Sequence, residues 1–150
     1  MKIEYQTRDL IYTDDGDFMI DEISGDFLIK SDANGEITSQ TITKRVFSNP
    51  GDWKMMQDYG SGIMKLVGNE ITSDLIRVIK SSIFDVLTRE FTLDSRDFET
   101  KVIPLSPREV SVIIIVKKRY MNQPIIVSST LSSDFFVNKT GKINSIGLGR

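Results

Sequence analysis

The side chains that carry most enzymatic chemistry are missing from this sequence, which contains no Cys and no His. Thiol nucleophiles, imidazole bases, disulfides and the usual zinc ligands are excluded with them. Carboxylates are what remain for acid–base work, and their geometry is demanding. A glycosidase sets two of them about 5 to 9.5 Å apart across a sugar, one held protonated by apolar surroundings. Glu90 beside Phe91, followed by Asp94 or Asp97, supplies the residue types. The same stretch also reads as a helix end entering a charged, solvated loop (Arg89, Glu90, Asp94, Arg96, Asp97), the ordinary fate of charged side chains. That second reading is preferred, and no catalysis is expected.

Other candidate motifs reduce to local structure. Asp14-Asp15-Gly16-Asp17 and Asp32-Ala33-Asn34-Gly35-Glu36 look like fragments of calcium loops, but neither spaces its oxygens toward a closing Glu, so both are expected to be turns. Gly60-Ser61-Gly62 lacks the third Gly of a dinucleotide site and the Gly-Lys-Ser/Thr of a P-loop. Lys117-Lys118-Arg119 could meet an anionic partner, or could be a charged strand end that blocks edge pairing. Asn138-Lys139-Thr140 fits a glycosylation sequon, which matters only in a secreted protein. No cofactor and no metal are expected. With 19 Lys and Arg against 21 Asp and Glu, the net charge of -2 offers no global field for nucleic acid or an anionic membrane. The opening MKIEYQTRDL is polar where a signal peptide would be apolar, and no run approaches the roughly 20 apolar residues of a membrane helix. Folding in a cytoplasm is the expectation.

The elements that would position these residues form an α+β pattern. Residues 1–34 read as short strands and turns, with Gly16-Asp17-Phe18-Met19-Ile20 echoed by Gly25-Asp26-Phe27-Leu28-Ile29 and hairpin pairs at Asp15-Gly16 and Ser24-Gly25. Such a ribbon is marginal alone and needs a surface to lean on. From Glu36 to Phe47, Ile37, Ile42, Val46 and Phe47 predict a short amphipathic helix. From about Thr72 to Arg89, Leu75, Ile76, Val78, Ile79, Ile83, Phe84, Val86 and Leu87 predict a long one, capped by Asn69 or Thr72. An antiparallel meander is predicted over Phe98–Leu105, Val110–Tyr120 and Pro124–Ser129. Val112 to Val116 is apolar on both alternating faces, so the middle strand is expected to be covered by the long helix on one side and by a second layer or a partner on the other. The expected organisation is an N-terminal extension (1–34), an α+β core (35–130) and an extended C-terminal arm (131–150) around Phe135-Phe136-Val137.

The stretch FSNPGDWKMMQDYGSGI, from Phe47 to Ile63, matches no enzyme motif. Asn49-Pro50-Gly51 must stop the preceding helix, and Tyr59-Gly60-Ser61-Gly62 repeats the punctuation. Trp53, Met55, Met56 and Tyr59 lie between, needing burial against this fold or against a neighbour.

Taken with the helix carrying Ile42 and Val46, with Ser48, Pro50-Gly51-Asp52-Trp53, Met56 and Tyr59-Gly60-Ser61, and with the long helix and meander that follow, the segment resembles the gene-25-type wedge family of contractile phage-tail baseplates. That family includes a type VI secretion baseplate component and has carried a lysozyme-like label. The likeness spans about residues 35 to 130. One departure is that the family's Glu-Pro-Arg at the end of the long helix is Thr88-Arg89-Glu90 here, without a proline. The resemblance implies a non-enzymatic protein of the virion tail baseplate, present in multiple copies around a sixfold assembly put together in the host cytoplasm. It also implies contacts with other wedge proteins, with the first sheath ring, and with tail tube or hub. The interface residues expected on this reading are Trp53, Met56, Tyr59, Arg89, Glu90, Ile125, Val127, Phe135 and Phe136. The open sheet edge and tail would suit strand exchange between subunits. The alternatives are a small carboxylate-dependent muramidase and a type VI secretion component.

Overall fold

The computed structural model describes residues 8–13, 17–32, 35–89, 93–117 and 123–132. Among these residues it is an α+β fold with two α-helices, a sheet of three strands and a separate two-stranded sheet. Helix α1 spans Glu36–Phe47 and begins at Gly35, whose left-handed φ of 72° turns the chain into the first turn. Asp32 accepts the Thr38 amide at 3.1 Å and also the Thr38 hydroxyl, so a carboxylate upstream of the cap stands in for it. Ile37, Ile42 and Val46 are buried, as the spacing predicts.

Helix α2 spans Ser73–Thr88, and Thr72 is its cap, accepting the Leu75 amide at 3.2 Å. Asn69 instead donates to the Leu66 carbonyl. Ile79, Ile83, Val86 and Leu87 face inward, and burying each of these side chains is worth roughly 1.5 to 3 kcal/mol. Val78 and Phe84, counted in the apolar series, lie on the solvent side, with the Phe84 ring 5.8 Å from that of Phe98.

Strands β3 (Phe98–Ser106), β4 (Glu109–Val116) and β5 (Ile125–Ser132) form an antiparallel sheet in that order. Pro104 is tolerated in β3 because β3 is an edge strand. α2 packs on β3, α1 packs on β5, and both helices lie against each other. Val110, Val112, Ile114 and Val116 of β4 point into the core so formed, with Val102, Val127 and Leu131 alongside. The opposite face is the one expected to meet a second layer or a partner. Ile113, Ile115 and Ile126 are only half-buried and Ile103 is exposed, because among the described residues no second layer covers that face. β4 spans Glu109–Val116, with Tyr120 outside the described residues, while β5 runs past Ser129 to Ser132.

The N-terminal segments make their own small unit. β1 (Arg8–Leu10) pairs with β2 (Ile29–Ser31), and bridges join Tyr12 to Phe18 and Ile20 to Phe27. Amide bonds run Ile11 to Leu28 (3.1 Å), Leu28 to Met19 (2.8 Å) and Met19 to Ile11 (2.9 Å), so three segments close on one another. Asp15-Gly16 lies outside the described residues, whereas Ser24-Gly25 does turn the chain, with Gly25 at a φ of 72°. The unit leans on α1. Gln40 accepts the Tyr12 amide and donates to the Leu10 carbonyl, and the Lys44 ammonium sits 3.4 Å from the centre of the Tyr12 ring.

Candidate protein interface

α1 stops at Ser48, whose extended backbone and the following Pro50 prevent another turn. The next fourteen or so residues form a braced turn rather than a plug. The Asp52 carboxylate accepts the Asn49 amide at 2.8 Å, and Gly51 donates to the Gln57 carbonyl at 2.8 Å. Met56 bonds back to Trp53 and Tyr59 back to Met56, at 3.1 and 3.0 Å. The base is riveted to α1: the Ser61 amide donates to the Arg45 carbonyl at 3.0 Å, and its hydroxyl bonds the Val46 carbonyl. Gly60, with φ of 110°, passes so close to Ser48 that a Cβ there would lie 2.3 Å from the Ser48 carbonyl oxygen. Gly62 then opens a 3-10 turn, Ile63–Leu66, dropping Ile63 into the core.

This scaffold carries the aromatic pair outward. The Trp53 indole meets Tyr59 edge-on at 6.0 Å, and its N–H points to the Ser48 hydroxyl at 3.4 Å. The Arg45 guanidinium lies 5.2 Å from the Tyr59 ring centre. Tyr59 is half-buried, but Trp53, Met55 and Met56 are 43%, 94% and 51% exposed. An internal loop filling its own core would bury these groups, so that reading of the segment does not hold.

Arg89, at the end of α2, reaches the same turn by donating to the Asp58 carbonyl at 2.9 Å. It thereby joins Trp53, Met56 and Tyr59 on one locality, 31 residues apart in sequence from its acceptor. Ile125 and Val127 are not on that surface. Both side chains are buried in the core beneath α1, because β5, an edge strand among the described residues, turns its odd-numbered residues inward. Glu90, Phe135 and Phe136 lie outside the described residues.

The acids considered for chemistry are placed otherwise. Asp94 forms an ion pair with Arg96 at 3.1 Å and accepts the Arg96 amide at 2.9 Å, within an exposed turn. The side-chain hydrogen bond from the guanidinium to Asp94, more than the charge of that carboxylate, holds Arg96 above its ordinary value. The Asp97 carbonyl accepts the Lys117 amide at 2.7 Å, tying the turn to the end of β4. Among the described residues no three carboxylates gather as a metal site requires, and no helix is long and apolar enough to cross a membrane.

Sequence reasoning found the turn but missed what makes it rigid. The close approach at Gly60 and the placement of Arg45 beside Tyr59 depend on residues distant along the chain. The Gly60-Ser61-Gly62 pattern was the available signal for the former.

No protein-family model and no curated protein matches the chain. Among solved structures, one described as a "putative tail lysozyme" from Geobacter sulfurreducens superposes with a TM-score of 0.50 and 18% identity, over 66% of this chain and 90% of that one. The likeness is one of fold. The anti-feeding prophage baseplate contains a chain matching at a TM-score of 0.44 and 16% identity, over 81% of this chain and 85% of its own.

Proposed function

We propose that this chain is a structural subunit of the baseplate of a contractile tail or a related injection device, where it joins neighbouring wedge subunits through the braced turn around Trp53. The observation that carries this reading is the display of Trp53, Met55 and Met56 on a turn held by backbone bonds from both sides. Large apolar groups on a pre-ordered support lose little conformational freedom on binding, as an assembly contact requires. The likeness in fold to the Geobacter protein and the sequence resemblance around Pro50-Gly51-Asp52-Trp53 support the same reading.

On this reading β5, an edge strand among the described residues, is the edge offered to the first sheath ring, since main-chain hydrogen bonds give affinity without dedicated side chains. Residues 1–34 extend the core toward tube, hub or another wedge protein, and a phage or a type VI origin is consistent with the same surfaces. The protein acts by binding, and its carboxylates serve turns and ion pairs.

The test is negative-stain microscopy of the chain co-expressed with its genomic neighbours, beside the same set lacking it and the same set carrying Trp53→Ala. Sixfold wedges or sheathed tails are expected only with the wild-type chain. Trp53→Ala should keep its circular dichroism and weaken association by about 2 kcal/mol or more, about thirtyfold. Assemblies that form equally well without the chain refute the proposal.

A further inference from the structure

Outside the Trp53 turn, exposed apolar side chains gather on the N-terminal unit. Ile20 faces Phe27 across an antiparallel bridge, and alternation carries Phe18 and Ile29 to the same face. All four are about half exposed or more, and Ile23, on the turn between Ile20 and Phe27, is 98% exposed. The surface is held in place before anything binds. The Phe18 ring lies 4.9 Å from that of Tyr12 and 5.2 Å from that of Phe27, and Tyr12 is fastened to α1 through Gln40 and Lys44. The Asp21 carboxylate accepts the Ile23 and Ser24 amides at 2.8 and 3.1 Å, fixing the turn that presents Ile23. Charge is concentrated on the same segments. Asp9, Asp17, Asp21, Glu22 and Asp26 are interleaved with the apolar residues, and of the unit's two bases, Arg8 and Lys30, the latter is paired with Glu36 at 3.2 Å. The unit is therefore more acidic than the chain as a whole, whose net charge is -2.

We propose that this surface is a docking site for a basic, apolar segment of a partner protein, one that alternates Lys or Arg with aromatic or branched aliphatic side chains. The apolar face supplies the area to be covered, and the acids around it choose the occupant by charge complementarity. A second copy of this chain fits badly, because a twofold contact would set these acids against their own counterparts. An anionic membrane or a nucleic acid is repelled by the same groups. A basic segment instead brings its cations to carboxylates already gathered, while its apolar side chains cover Phe18, Ile20, Ile23 and Phe27. Because the surface is pre-ordered, little conformational freedom is lost on this side of the contact. The site is distinct from the Trp53 turn and needs no assumption about the assembly in which that turn takes part.

Titration of the full-length, isotopically labelled chain with a synthetic peptide, followed by amide resonances, tests it. The probe is a short peptide alternating lysine with phenylalanine and isoleucine, and its comparison is the same peptide with glutamate in place of lysine. The lysine peptide should move the amides of Phe18, Ile20, Ile23 and Phe27 and leave those of Trp53, Ile113 and Ile115 in place. Its affinity should fall several-fold as salt rises and the screening length shrinks from about 10 Å at 0.1 M to about 3 Å at 1 M. Asp17→Lys with Glu22→Lys should weaken it about tenfold and make the glutamate peptide the better ligand; both side chains are suited because, unlike Asp21, neither caps a backbone amide among the described residues. Ile23→Ser, at a side chain open to solvent and free of core packing, should weaken the lysine peptide several-fold while circular dichroism is unchanged. Equal binding of the two peptides, shifts centred on the Trp53 turn or on the Ile113 face, or no binding at millimolar peptide overturns the proposal. Concentration-dependent dimers that move the same amides without peptide give the surface to a second copy and overturn it equally.

Discussion

Replacing Gly60 by Ala tests whether the Trp53 turn is as rigid as its bonds imply. The added Cβ would lie 2.3 Å from the Ser48 carbonyl oxygen and 2.6 Å from its carbon, both backbone atoms that no rotamer change can move. Ser48 would have to retreat, and its carbonyl would release the Gly62 amide that it accepts at 3.3 Å. Strained backbone costs about 1 to 3 kcal/mol and a lost hydrogen bond about 0.5 to 1.5, so a total of about 1.5 to 4.5 kcal/mol is expected. Gly25→Ala is the control, since Gly25 also has positive φ, 72°, but a Cβ there meets nothing within 4 Å. It should cost only about 1 to 2 kcal/mol, the conformational penalty of a left-handed residue. Urea unfolding gives both values. Because Trp53 is the single Trp, near-ultraviolet circular dichroism should also lose its Trp53–Tyr59 signal in Gly60→Ala and keep it in Gly25→Ala. Free energies for the two variants within about 0.5 kcal/mol of each other, inside the usual scatter of surface changes, would show that the close approach is not what holds the turn.

Gln40→Ala removes both the bond to the Tyr12 amide and that to the Leu10 carbonyl, so limited proteolysis within residues 17–31 should accelerate roughly tenfold or more while helical signal persists; an unchanged rate rules out Gln40 as the clasp. Ile114→Ala should cost about 2 to 5 kcal/mol and Ile113→Ala under about 2, because only the former faces the helices; equal losses in chemical denaturation would mean that the second face is covered. The Asp21 carboxyl is held below its ordinary 3.8 by backbone bonds from Ser24 and Ile23. A depressed folded value means that the carboxylate's contribution is present above the unfolded value and lost as pH falls through the folded one. The Ser24 and Ile23 amide resonances should therefore titrate with a midpoint below 3.8, and a midpoint at or above that value refutes the bonding.

Local patterns made much of the architecture readable. The spacing of Ile37, Ile42 and Val46 and of Ile79, Ile83, Val86 and Leu87 marks helix faces, because a helix repeats every 3.6 residues and buries one stripe. Thr72 as a cap and the three strands of the meander follow from equally short-range chemistry. The residues of the candidate interface were less legible. Trp53, Met56 and Tyr59 were recognisable as a cluster, but the exposure of Trp53 and Met56 was not, since a sequence shows that apolar groups need a cover and not which body supplies it. Val127 looked like part of an open edge and is core, because the direction of alternation in β5 is set by α1 above it.

The sequence alone determined that chemistry based on His or Cys is impossible here, and that two amphipathic helices precede an antiparallel meander. Both follow from residue types and short spacings, which act within a few residues of chain. Only the tertiary structure decided that the helices cover one face of the sheet and leave Ile113 and Ile115 half-buried, that Arg89 reaches back to Asp58, and that Gly60 presses on Ser48. Those are contacts between segments far apart in the chain, and their geometry is set by packing that no local pattern encodes.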